Sequence, residues 1–274
     1  MHINETDEQS SLISCEKIKN ELETDVLGRK LIVLDEIDST NNYAKQLARE
    51  NAENGTAVVA DYQTAGRGRL GRSFISPKGT GIYLSVIIRN NMSVSSAQLI
   101  TSCAAVAAAE AIEELCSCDV KIKWVNDLFL GGRKICGILT ESSLGTVAGT
   151  LEYVIIGLGV NVYSLKGHID SELEKIASSI EDETGKRISR SRLCAVLLEK
   201  LEMHLEKIES REFIKEYQRR SMIIGETVII EEKGKKRTGK AVSIADDAGL
   251  TIKFDDGEIR TINSGEARIF RNQN

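Results

Sequence analysis

The stretch from Ser95 to Cys118 constrains this chain more than any other. It has the length of a helix, and across Cys103–Ala109 (CAAVAAA) it is apolar on every face. Such a helix is stable only when other elements wrap it, so it belongs at the centre of a core. The chain is long enough to build one. With 274 residues and 41% hydrophobic content, it can form one large core and still hold a small second domain.

The wrapping elements are legible on both sides. Leu31–Glu36, Ala57–Tyr62, Gly81–Arg89 and Leu151–Val160 read as strands, and Val120–Val125 alternates as a half-buried strand does. Leu128–Leu130 and Ile135–Glu141 flank Gly131-Gly132 in the pattern of a hairpin. Ser191–Ile208 is an amphipathic helix, with Leu193, Val196, Leu197 and Leu201 on one face. After Gly225 the pattern changes to short strands: Thr227–Glu231, Gly239–Ser243, Leu250–Phe254 and Glu258–Ile262. The turn Asp256-Gly257 separates the last two, and the whole reads as a small β-barrel. The expected architecture is therefore α+β. Residues 1–30 form an acidic N-terminal segment with a short helix across Glu16–Leu27. A mixed domain covers 31–220 and a small all-β domain covers 221–274.

The formal charge of −5 argues against general nucleic-acid binding. Residues 1–26 carry seven acids against Lys17 and Lys19, which accounts for the whole imbalance. From Tyr62 to Ala109 there is no Asp or Glu, while Arg67, Arg69, Arg72, Lys78 and Arg89 all fall there. An acid-free, arginine-rich island in an acidic chain reads as a site for an anion. No basic segment followed by an apolar run marks a signal peptide, and no apolar run approaches the roughly 18–20 residues of a membrane span. The six cysteines are scattered, and Cys116-x-Cys118 lacks the second pair of a zinc site. They read as reduced, mostly buried thiols of a cytoplasmic protein. No histidine falls in a motif and there is no Gly-x-Ser-x-Gly, which disfavours a hydrolase or redox enzyme.

Four separate segments carry the chemistry. These are Ser39-Thr40-Asn41, at a strand end and helix start; Tyr62–Arg72 (YQTAGRGRLGR); Lys123-Trp124-Val125-Asn126-Asp127 with Arg133–Ile138 (RKICGI); and Gly157–Asn161 (GLGVN). The second contains Gly66-x-Gly68-x-x-Gly71, which satisfies the dinucleotide fingerprint. A strand rather than a helix follows it, so that reading fails; no Gly-Lys-Ser/Thr is present for a Walker loop. What remains is a loop in which glycines let backbone N–H groups approach an anion and arginines add permanently charged planar donors. A solvated basic loop is the bland alternative. Asn126-Asp127 on its own fits turn chemistry, and Lys134 on its own fits a surface lysine. Together, a carboxylate and a lysine near an anion site are what acyl-adenylate chemistry uses.

On these residues the chain resembles the biotin protein ligase family, from about Leu31 to Phe270. Gly66–Arg72 matches the family's G-R-G-R-x-G-R loop. Lys123–Asp127 matches K-W-P-N-D with Val125 in place of proline, and Lys134–Leu139 matches K-x-x-G-I-L. Gly265-Glu266-Ala267-Arg268 resembles the end of the family's C-terminal domain. The resemblance implies a class II synthetase-like catalytic domain that binds biotin and ATP, followed by an SH3-like barrel. It implies activation of biotin to biotinyl-5′-AMP and transfer to a lysine of a biotin carboxyl carrier domain, with no tightly bound prosthetic group.

It also implies roles. Ser39, Thr40, Asn41, Gln63, Gly66, Arg67, Gly68, Arg69, Lys134 and Gly137 would bind biotin, with Ser39, Thr40 and Gln63 at the ureido ring. Arg69, Arg72, Phe74, Asn126, Lys134 and Asn161 would lie on the nucleotide side, Phe74 over adenine and Asn161 reading it. Lys134, Arg69 and Asp127 would be catalytic, with Asp127 holding Mg²⁺ or activating the acceptor lysine. Gly157 and Gly159 would let a strand pass close to ligand. Many family members begin with a winged helix-turn-helix. Only about thirty residues, acidic overall, precede the first strand here, so DNA binding and repression are not expected; nor is a membrane, and a homodimer is left open. The alternatives are a lipoate ligase or octanoyl transferase on the same fold, and a non-enzymatic biotin-responsive repressor.

Overall fold

A computed structural model describes residues 13–89, 93–94, 97–232 and 235–270. Residues 1–12 of the acidic segment, Ser95 at the expected helix start and residues 271–274 lie outside the described residues. Its helices are α1 (Cys15–Glu21), α2 (Thr40–Arg49), α3 (Ala97–Cys116), α4 (Ser171–Glu174), α5 (Ile180–Thr184), α6 (Arg190–Glu206) and α7 (Phe213–Arg220). Seven strands form one sheet: β1 (Leu31–Leu34), β2 (Ala57–Ala60), β3 (Gly81–Ile88), β4 (Lys121–Lys123), β5 (Asp127–Leu130), β6 (Arg133–Leu144) and β7 (Leu151–Asn161). Their order is β1-β2-β3-β7-β6-β5-β4. Only β1 and β2 pair in parallel; the other neighbours are antiparallel.

The all-apolar helix takes the central place its sequence demands. On α3, Cys103 to Ala109 are fully buried, between one face of the sheet and the helices α6 and α7. The opposite face carries α2, whose Ala44 and Ala48 pack on Val58, Ile87 and Ile155. All eight residues of β3 are buried, as expected of a strand covered on both faces. The hairpin β5–β6 turns through Gly131 and Gly132, with φ of 58° and 83°, where a side chain would strain the backbone.

Several features were not legible. The N-terminal helix stops at Glu21 rather than Leu27, because residues 22–28 run along α6 instead. There the Glu202 carboxylate accepts from the N–H groups of Asp25, Val26 and Leu27 at 2.7, 2.7 and 2.8 Å. One side chain so satisfies three backbone donors. At the start of α6, Arg190 is 1% exposed and donates from Nη1 to Asp61 Oδ1 at 2.6 Å and to the Gly81 carbonyl at 3.0 Å. Those two acceptors sit at the two stems of the glycine–arginine loop, so a buried guanidinium ties the stems together.

The C-terminal part is a five-stranded antiparallel sheet of β8 (Thr227–Glu232), β9 (Lys235–Ile244), β10 (Leu250–Phe254), β11 (Ile259–Ile262) and β12 (Ala267–Ile269), ordered β11-β10-β9-β8-β12. β12 is too short to announce itself in sequence; it is held by pairing with β8. The Trp124 indole, just after β4, donates to the Ala248 carbonyl at 2.9 Å and Gln218 of α7 donates to the Ile244 carbonyl at 2.7 Å, tying this sheet to the larger domain.

Candidate active site

The loop between β2 and β3 is a folded ribbon. Its stems pair through Gln63 and Ser76, Phe74 N–H donates to the Gly66 carbonyl at 2.9 Å, and Gly68 N–H donates to the Arg72 carbonyl at 2.7 Å. A single 3₁₀ turn, Arg69–Gly71, forms the tip, and β3 follows, so the helix needed for a dinucleotide fingerprint is absent there. A Cβ on Gly66 would lie 2.3 Å from the Phe74 carbonyl, so only glycine allows the two arms to close.

Beneath the loop lies a cleft of about 460 Å³ including its open mouth. Ser39, Thr40 and Asn41 line it from the start of α2, Gln63, Arg67, Gly68, Arg69 and Phe74 from the loop, and Asn126, Lys134 and Gly137 from β5, β6 and their approach. Gly157 and Gly159 of β7 form part of its floor. Close passage is literal here. A Cβ on Gly159 would stand 2.5 Å from a Phe74 ring carbon, and one on Gly157 would stand 2.0 Å from Asn41 Oδ1. Gly66 is the one member of the expected biotin set that does not line this cleft; it faces a separate hollow on the other side of the loop.

The polar groups at the closed end form a chain. Thr40 donates from backbone and hydroxyl to Gln63 Oε1 at 2.9 and 3.1 Å, and Gln63 Nε2 donates to Ser76 at 2.8 Å. The Ser85 hydroxyl lies 2.8 Å from Thr40 Oγ1 and donates to Asn41 Oδ1 at 2.6 Å. Asn41 Nδ2 donates to Glu141 at 2.9 Å. Ser39 caps α2 without a side-chain cap bond. Ser85 and Glu141 were missed by sequence reasoning: one stands in the middle of an apolar strand, the other beyond the K-x-x-G-I-L match. Glu141 also pairs with Lys45 and with Arg67. Burial pushes its carboxyl up, but the hydrogen bonds from Lys45 and Asn41 and the charges of Lys45 and Arg67 hold it below the usual carboxylate range.

At its other end the cleft meets a wider hollow of about 1630 Å³ including its open mouth, and Phe74 and Lys134 line both. Arg72, Asp127 and Asn161 belong to this second space. Lys134 Nζ sits 2.7 Å from Asp127 Oδ1 and 6.0 Å from the Phe74 ring centre. Asn161 donates from Nδ2 to the Ser178 carbonyl at 2.9 Å, while its Oδ1 is buried with no protein partner. That atom can accept from a ligand donor. Arg72 forms a two-pronged pair with Glu266, at 3.1 and 2.6 Å. Arg69 donates to Asn126 Oδ1 and to the Gly265 carbonyl. Cys136, beside Lys134 in sequence, is fully buried and its thiol is pushed up to about 12, which leaves it protonated and inert. All six cysteines are free thiols, four of them buried. Among the described residues no group of three or more His, Cys, Asp or Glu could hold a metal. A Mg²⁺ at Asp127 would therefore take its remaining ligands from nucleotide phosphates and water.

The sheet, the loop and the C-terminal domain have counterparts of known kind. Residues 33–161 match the Biotin/lipoate A/B protein ligase family, and residues 223–268 match the Biotin protein ligase C terminal domain. The crystal structure of a biotin protein ligase from Aquifex aeolicus in complex with biotin and ATP superposes with a TM-score of 0.75 at 31% identity, covering 89% of this chain and 100% of that one. The chain belongs to the biotin protein ligase family.

Other biotin protein ligases match over different spans. The bifunctional ligase/repressor BirA of Bacillus subtilis is 40% identical over 179 residues, 65% of this chain and 54% of that protein. The biotin–[acetyl-CoA-carboxylase] ligase of Mycobacterium tuberculosis is 27% identical, with 87% and 88% covered. The match thus spans about half the length of the ligase/repressor relative and most of the length of the Mycobacterium tuberculosis one. No helix among the described residues is long and apolar enough to cross a membrane.

Proposed function

We propose that this chain is a biotin protein ligase, with residues 31–220 as its catalytic domain. The biotin carboxylate would attack the α-phosphorus of ATP, forming biotinyl-5′-AMP as diphosphate leaves. A lysine amine of a biotin carboxyl carrier domain would then attack the acyl carbon, giving up a proton as AMP leaves. The observation that carries this reading is the junction of the two cavities at Lys134 and Phe74. A narrow cleft with a polar closed end suits a bicyclic ureido ring on an acyl chain, and the wider space suits a nucleotide. The similarity to the Aquifex protein that binds both supports it.

In this reading Ser39, Thr40 and Gln63 hold the ureido ring, because a buried amide left unmet costs about 1–3 kcal/mol. Lys134 bridges carboxylate and α-phosphate as they join, turning from Asp127 to the developing charge. Arg69 holds the same junction afterwards. Phe74 covers the adenine face, and Asn161 Oδ1 accepts from its amino group. Mg²⁺ would arrive on the ATP phosphates with Asp127 as a protein ligand; taking the proton from the acceptor lysine is the alternative role for that carboxylate. The reading needs neither DNA nor a second subunit, since every group named comes from one chain. The test is incubation with ATP, Mg²⁺ and either biotin or lipoate, followed by mass spectrometry. Biotinyl-AMP with biotin and no lipoyl-AMP with lipoate is expected; the reverse would make the chain a lipoate enzyme.

A further inference from the structure

The three arginines of the loop are held in two different ways. Arg67 meets the Glu141 carboxylate at 3.0 Å and Arg72 meets Glu266 at 2.6 Å, so each touches a carboxylate that offsets its charge in part, Glu141 being shared with Lys45 and Glu266 with Arg268. Arg69 Nη1 donates to Asn126 Oδ1 at 2.9 Å and Nη2 to the Gly265 carbonyl at 3.1 Å, and both acceptors are neutral. Among the described residues Arg69 makes no ion pair. Burial lowers its pKa, with Asp127 and Glu266 pulling the other way from a distance, so a half-buried cation is fixed in place with its field only partly offset.

Asn126 cannot turn away. A guanidinium only donates, so it must face Oδ1; the Ile138 carbonyl only accepts, so it must face Nδ2, which it does at 2.9 Å. Ile138 N–H returns a bond to the Asn126 carbonyl at 3.0 Å. One lone pair of Oδ1 and one hydrogen of Nδ2 are therefore committed to protein, which fixes the amide's orientation and leaves its second hydrogen and second lone pair.

We propose that Asn126 is a positioning residue for retention of the acyl-adenylate: with a neutral acceptor it holds the Arg69 guanidinium in place and leaves its charge for the acyl–phosphate junction. The proposal rests on the ligase reading above. The neutrality matters as much as the position. An aspartate here would hold the same guanidinium but cancel its charge, and would set a second oxygen against the Ile138 carbonyl.

Biotinyl-5′-AMP, loaded directly onto the full chain and chased with excess biotin, reports dissociation without requiring synthesis. Asn126→Ala and Arg69→Gly should each speed release by roughly 10- to 100-fold, and the double variant should release no faster than the quicker single. Asn126→Asp, which preserves shape and keeps the proposal testable if the alanine variant does not fold, should also release severalfold faster, on the order of 5-fold or more. Wild-type release from either Asn126 variant, or effects that multiply in the double variant, would overturn the proposal. A merely structural asparagine lowers the melting temperature and acts independently of Arg69. Failure of the wild-type chain to bind biotinyl-AMP would instead overturn the ligase reading, and is seen before any variant is made.

Discussion

Lys134 owes its place to its backbone. Its N–H donates to the Ile176 carbonyl and its carbonyl accepts from Ser178 N–H, both at 2.9 Å, so the residue is pinned whatever its side chain does. Lys134→Ala should therefore keep its melting temperature and lose adenylate formation by about 10²–10³-fold, the usual cost of removing one donor from a developing oxyanion. Diphosphate release reads this directly, and a near-normal rate would make Lys134 an ordinary surface residue. Arg69→Gly should fail differently. A mixed anhydride hydrolyses in water and acylates stray amines, so the enzyme must keep it until the right lysine arrives. With Lys134 still facing the reacting oxygens, the variant should consume ATP and biotin yet label an unrelated lysine-rich protein more than wild type does. A variant that makes the adenylate but labels bystanders no faster would deny Arg69 that role.

Among elements, the loop at 63–79 decides how the site opens. Its stems are tied by Arg190 and its arms by backbone bonds, but Leu70 at the tip is 72% exposed with φ of 56°. Arg67 and Arg72 are partly offset there by Glu141 and Glu266, so Arg69 is the loop charge that an incoming anion would meet. Amide exchange at Gly66–Ser73 should slow when biotin and ATP are both present; equal exchange with and without them would mean that the loop is already set. This loop was legible in sequence because glycine alternates with arginine in an acid-free stretch, a pattern with few uses. The elements that steady it were not. Ser85 and Glu141 are ordinary residues on strands, and Arg190 reaches Asp61 across 129 positions. Nothing in a local pattern reports a partner at that distance. α7 escaped notice for a different reason: eight residues make barely two turns, and Phe213, Ile214 and Tyr217 gain their meaning only by packing against α3 and the second sheet. The central helix α3 was the easiest element to read, since its composition admits one environment.

At the scale of the whole molecule, the C-terminal sheet and the loop meet through charge. The two sheets share one apolar core, in which Trp124, Tyr217, Ile244 and Leu250 are all members. Beyond that core, Gly265 and Glu266 reach back to Arg69 and Arg72. The hydrogen bonds from Arg72 hold the Glu266 carboxyl at about 2, with Arg268 helping, although burial pushes it up. An unfolded glutamate titrates near 4.3. Because the folded value is the lower one, the pair contributes its full stability above about 4.3 and loses it as the pH falls through about 2. Arg72 is 57% exposed, so solvent and salt keep the contribution near or below about 1 kcal/mol. Urea unfolding of wild type and Glu266→Gln should therefore show a small gap in midpoint at pH 7 that narrows steadily from about pH 4 downward and shrinks in high salt. Loop exchange in the variant at pH 7 should rise at Arg72, because the same carboxylate anchors the outer arm of the anion loop. A midpoint gap that persists unchanged to pH 2 would mean that Glu266 stabilises the junction by packing alone, and that the C-terminal sheet does not hold the loop through charge.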